Sequence, residues 1–232
     1  MPKVKFEYDI SKDKWNVLRV INNPPVFEPD NLKRPLGNLP GSFVEKVRLE
    51  TNPDEKDKII SDFLKNNYDN NKDFINERIK KFSQDWEKNN EEYFKRLEVV
   101  LNIKIPSGTA YTAYLTSAGS CPFNAGGRWF MVRLADEKVD VTVAHELMHI
   151  EFIRAYGFYC RDVLKLSPEE FGEFQEASTF LLNEEMGDLL SRPDYGYKEH
   201  QEIRNKLSLE WRKNKNFNEL LTYYKSLKKE GV

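Results

Sequence analysis

The run His145-Glu146-Leu147-Met148-His149 sets two imidazoles four residues apart, with a carboxylate directly after the first, in a segment that reads as helix. On a helix that spacing puts both rings on one face, where they can hold a single zinc ion. Glu146 projects about 100° away from His145, so it can reach a water on the metal without ligating it. A site of that kind suits amide hydrolysis. Zinc lowers the pKa of a bound water from about 15.7 to about 7, and a neighbouring carboxylate can take its proton and deliver it to the leaving amine.

The chain has three histidines, His145, His149 and His200, and two of them fall at metal-ligand spacing. Around them Thr142, Val143, Ala144, Leu147, Met148 and Ile150 are all uncharged in a chain that is 32% charged. This frame separates the pair from histidines on an ordinary solvated face.

On these residues the segment resembles the HExxH zinc metallopeptidases, the zincin class. Their extended pattern asks for Val or Thr three residues before the first histidine, uncharged residues around the motif, and a hydrophobic residue two after the second histidine. Thr142 and Ile150 fit, whereas Glu151 departs from the last position and is expected on the outer face of the helix. The resemblance covers about residues 139 to 187 and implies a class of chemistry: a zinc-dependent hydrolase acting on peptide bonds.

A catalytic zinc takes three protein ligands and keeps a fourth position for water. The metzincin extension fails, because Phe152 stands where Gly is required and Ala155 where the third His is required. A carboxylate from a second helix remains, as in the gluzincin branch. Ser167 to Leu190 offers that helix, with Ser167 as cap, Pro168 at the first helical position and Glu169 and Glu170 at the positive end of the dipole. Glu173 and Glu176 both lie on it. Glu176 shares its face with Gly172, Thr179 and Asn183, small or neutral residues that let another helix approach, whereas Glu173 sits beside Glu169, Ala177 and Glu184 on an acidic edge. Glu176 is therefore preferred, with 26 residues between it and His149, and Glu176-Ala177-Ser178-Thr179 is similar to the gluzincin habit of following the ligand Glu with small residues.

Further roles follow from the same chemistry. His200, Tyr195 and Tyr197 are candidate donors to a developing oxyanion, as are Tyr156 and Tyr159, and Asn183 or Asp188 could hold a histidine tautomer. Two alternatives stand beside the peptidase reading. One is a non-catalytic scaffold whose zinc is closed by a fourth side chain, Cys121, Asp162 or His200. The other is a deformylase-like amidase with Cys121, 24 positions before His145, as a ligand, although Ser120-Cys121-Pro122 does not match the deformylase cysteine motif.

The elements that must carry these groups can be read around them. Lys3 to Tyr8 and Trp15 to Ile21 read as short strands or extended segments, Pro24 to Pro40 as a surface loop, and Asp54 to Asn67 as a helix. Asn71 to Leu101 reads as a long amphipathic scaffold helix interrupted by Lys88, Asn89 and Asn90. Ala110 to Thr116 and Arg128 to Leu134 read as strands, the second with a free edge able to pair with an extended peptide. The active-site helix is expected from Val139 to Tyr156. Together these predict a mainly helical α+β, zincin-like fold with a small sheet beside that helix, one domain over 1–232 comprising a scaffold part (1–104) and a catalytic core (105–232). Net charge is −2 with both signs dispersed, which favours neither nucleic acid nor membrane as partner and leaves a peptide or protein substrate. The N-terminus lacks a signal-peptide core and two cysteines make no disulfide framework, so a cytoplasmic enzyme is expected.

Overall fold

The computed structural model describes residues 1–22 and 36–229, so most of the expected loop at 24–40 lies outside the described residues. β1 (Lys3–Glu7) leads directly into α1 (Ile10–Asn22). Asp9 starts the helix, its Oδ1 accepting from Ser11 N (2.8 Å) and Lys12 N (3.2 Å). The expected strand at Trp15 to Ile21 is thus helical. Its β-branched composition favoured a strand, but Val17, Val20 and Ile21 recur at helical steps and bury against α2 (Gly41–Leu49) and the start of α3 (Pro53–Leu101).

α3 merges the two helices expected at 54–67 and 71–101. Asn52 caps it, Pro53 occupies the first turn, and a left-handed Asn102 ends it. A kink at Asn71 marks the join, where the side-chain amide donates to Asn67 O at 2.9 Å and competes with the helix ladder. Lys88-Asn89-Asn90 does not interrupt it. Asn90 is buried, accepts from Trp86 Nε1 (2.9 Å) and donates to Pro2 O (2.9 Å), while Asn89 donates to Leu189 O. These polar residues tie the scaffold helix to the chain's start and to the segment after the site.

Among the described residues four strands form one mixed sheet in the order β1-β2-β4-β3, with β2 at Ala110–Thr116, β3 at Phe123–Asn124 and β4 at Trp129–Arg133. β1, β2 and β4 run parallel, and β3 pairs antiparallel to β4. Alternation sends Tyr111, Ala113 and Leu115 of β2, with Phe130 and Val132 of β4, into the main core. On the other face Trp15 of α1 meets Trp129 edge-on at 5.9 Å, and Lys12 sits over the Trp129 ring at 4.6 Å.

α4 (Asp140–Phe158) is apolar nearly all round, and its burial under the sheet and against α3 follows from that. Tyr93 donates to Ala144 O at 2.6 Å and Tyr156 to Leu101 O at 2.5 Å, locking α3 to α4 at two points. A π-helical turn at Tyr159–Val163 leads to α5 (Pro168–Ser178), followed by α6 (Phe180–Met186), α7 (Gln201–Asn214) and α8 (Phe217–Lys229). The result is an α+β architecture, mainly helical with a small sheet. No helix among the described residues is long and apolar enough to cross a membrane.

Candidate metal centre

α4 carries His145, Glu146 and His149 toward α5, and the one-turn spacing brings the two imidazoles within 4.3 Å of each other, ring centre to ring centre. α5 begins as its sequence dictates. Ser167 and Glu170 form a reciprocal capping box, Glu170 N donating to Ser167 Oγ (3.1 Å) and Ser167 N to Glu170 Oε2 (2.8 Å). Two residues before its end, Glu176 reaches both rings: Oε2 lies 3.4 Å from His145 Nε2 and Oε1 lies 3.4 Å from His149 Nε2. The candidate ligand atoms of His145, His149 and Glu176 all fall within 4.8 Å of one another. Among the described residues His149 Nε2, Glu176 Oε2 and Glu146 Oε2 are buried and have no hydrogen-bond partner. Buried polar atoms without partners are costly, and a cation held by the first two would relieve them. The residues therefore fit a metal ion.

The helix expected from Ser167 to Leu190 does not run its full length. It breaks at Thr179, whose hydroxyl donates to Glu176 O at 2.9 Å, while Arg204 of α7 also points Nη1 at that carbonyl (3.4 Å). Both partners hold the backbone of Glu176 at the point where the helix ladder lets go. Glu173 faces away, accepting from Tyr224 Oη (2.7 Å) and pairing with Lys228 (2.8 Å) rather than standing on a solvated edge.

Asp194 orients His145. Its Oδ2 lies 2.7 Å from His145 Nδ1, so a proton on Nδ1 leaves Nε2 free for a metal. Asp194 in turn is held by Thr179 Oγ1 (3.1 Å), by Arg204 Nη2 on its carbonyl (2.8 Å) and by Asn183, which bonds its backbone at both N and O. The turn over Arg204 requires Gly196: φ is +60° and a Cβ there would come within 2.6 Å of the guanidinium. Asn183 and Asp188, the expected partners of a histidine, bond elsewhere. Asn183 acts on Asp194, and Asp188 forms a surface pair with Arg96. If the cluster holds a metal ion, Asp194→Asn is expected to weaken its binding about 10- to 100-fold. Chelator competition measures this, and an unchanged affinity would show that packing alone orients His145.

Electrostatics within the cluster follow from burial and crowding. Burial pushes the Glu146 carboxyl up to about 8, with Glu176 and Asp194 adding to the rise against the opposing pull of His145. For Glu176 burial also favours the neutral acid, but the two imidazoles outweigh it and hold the carboxyl well below the usual carboxylate range. Burial lowers His149, assisted by the charge of His145.

A cleft of about 250 Å³ opens beside His145 and Glu146. Tyr195 and Tyr197 line one side, and Gly119, Ser120 and Cys121 line another. α1 braces that second wall from outside. Asp13, fully buried, accepts from Thr116 Oγ1 (2.7 Å), Ser117 N (2.9 Å) and Ser117 Oγ (2.8 Å), and Asn16 donates to Ser120 O (2.9 Å). His200 is not among the lining residues and meets Tyr197 edge-on at 5.7 Å. Tyr156 is spent on its bond to Leu101, and Tyr159 belongs to the π turn; neither lines the cleft. Cys121 lines the cleft, but among the described residues no cysteine, Asp162 or His200 joins the metal-holding group. Glu151 is buried, not on an outer face, and accepts from Tyr111 Oη at 2.6 Å, which accounts for a carboxylate at that position. The expected free edge of β4 is covered over part of its length: β3 pairs with it at Trp129 and Phe130, and Met131 N donates to Pro122 O (2.9 Å). β3 is the edge strand on that side of the sheet, and its Phe123 ring lies 5.4 Å from His149.

Asp194, Arg204 and the brace of α1 had no counterpart in the sequence reading. The only local hint of Asp194 was an acid beside the Tyr195-Gly196-Tyr197 turn. No family model matches this chain, and no curated protein or solved structure does so either.

Proposed function

We propose that this chain is a zinc-dependent metallopeptidase of zincin-like, gluzincin-like type, with His145, His149 and Glu176 as ligands. The observation that carries the reading is the convergence of these three on one point beside a buried, unpartnered Glu146 oxygen. A zinc ion there would supply Lewis acidity and lower the pKa of a coordinated water to about 7. Glu146, which stands outside the ligand set, accepts the proton of the attacking water and passes it to the amide nitrogen as the C–N bond breaks, giving a carboxylate and an amine. Asp194 keeps His145 in the Nδ1-protonated tautomer throughout. Tyr195 or Tyr197 donates to the oxygen that becomes negative during attack.

A structural zinc is normally closed by four protein ligands, and only three side chains converge here among the described residues, which supports a position open to water. Two unpaired cysteines, Cys121 and Cys160, support a cytoplasmic setting. The test is incubation of the zinc-loaded protein with a mixed peptide library and detection of new termini by mass spectrometry. New termini that disappear with chelator are expected; none at any zinc concentration would overturn the reading.

A further inference from the structure

The charged groups lining the cleft are nearly all committed to one another. Arg133 is paired in two-pronged fashion with Asp136, at 3.0 Å through Nε and 2.7 Å through Nη2. Asp194 is shared between His145 and Arg204. Glu146 faces the metal group. Arg192 is the exception: its guanidinium reaches only the carbonyl of Pro193, the next residue, at 3.3 Å, and has no carboxylate partner among the described residues.

Its backbone, in contrast, is firmly mounted. Ser191 donates through N and Oγ to the Asp140 carboxylate at the start of α4, Pro193 restricts φ, and Asp194 is bonded at both N and O by Asn183. An exposed, unpaired guanidinium on a fixed mount at a cleft is suited to bidentate capture of a carboxylate.

We propose that Arg192 is the specificity-determining residue of the cleft, and that the preferred peptide presents a carboxylate to it, from an Asp or Glu side chain or from the free C-terminus. This rests on the peptidase reading for what is then cut, but capture itself does not require cutting. Arg192 is a substrate-holding group and takes no part in proton transfer.

The experiment is capture of a random hexapeptide library on the immobilised, zinc-loaded protein, with the bound fraction sequenced. Half of the library carries a free C-terminus and half is amidated. Wild type should enrich carboxylate-bearing peptides about tenfold, and Arg192→Gln should lose that enrichment while binding zinc with unchanged affinity. Enrichment of Asp or Glu in both halves assigns the side chain as source; enrichment confined to the free-acid half assigns the C-terminus. No acidic enrichment, or the same enrichment in Arg192→Gln, would overturn the proposal. Cleavage is scored separately on the same library, so acidic capture without cleavage removes the peptidase reading alone, and cleavage without acidic preference removes only the role of Arg192.

Discussion

Glu146→Gln is expected to retain one zinc per chain and to lose peptide hydrolysis by about 10²- to 10⁴-fold, the range that general acid–base catalysis supplies. Gln keeps the size of the side chain and one carbonyl oxygen, so the packing around residue 146 is preserved. It cannot accept a proton. Because Glu146 is outside the three-residue metal group, the zinc content should not change. Nor should the fold weaken, since the Glu146 Oε2 atom makes no hydrogen bond that the substitution would break. Metal analysis, thermal unfolding and a cleavage assay on one preparation separate these effects. Full activity in the Gln variant would remove Glu146 from the mechanism, and loss of the metal would make it a ligand instead.

Zinc itself should be a large part of the stability of the loaded protein. A ligand that binds only the folded state adds about 4 kcal/mol when present at roughly a thousand times its dissociation constant. For a chain of this length that corresponds to a rise in Tm of roughly 8–16 °C. The increment should vanish in His149→Ala, which removes one of three ligands and leaves a site that binds zinc far more weakly. His149 also packs against Phe123, so the variant's own Tm will fall. The readout is therefore the difference between zinc-loaded and chelator-treated samples, within each protein. An equal increment in wild type and variant would place the ion elsewhere.

How much of this was legible beforehand depends on range. The one-turn spacing of His145 and His149, the Ser167-Pro168-Glu169-Glu170 start of α5 and the small neighbours of Glu176 are all local patterns, and each reports a geometry that the helix imposes by itself. The β-branched residues of Trp15 to Ile21 suit a strand in isolation, but Val17, Val20 and Ile21 bury at helical steps against one cluster, and the segment is helix. The strands at 110–116 and 129–133 were readable as strands but not as a parallel pair, since the chain reverses through β3 between them.

Sequence alone thus determined the local half of the site: which residues share a helical face, where the helix of Glu176 starts, and which chemistry two imidazoles and a carboxylate can share. Tertiary structure alone decided that Asp194 orients His145 from 49 residues away, that Asp13 and Asn16 of α1 brace the cleft wall from about a hundred residues away, and that Arg192 has no carboxylate partner among the described residues. The reason is physical. Backbone hydrogen bonding gives helices and strands a period that sequence records, whereas contacts between distant segments are selected by packing of the whole core, which has no period to read.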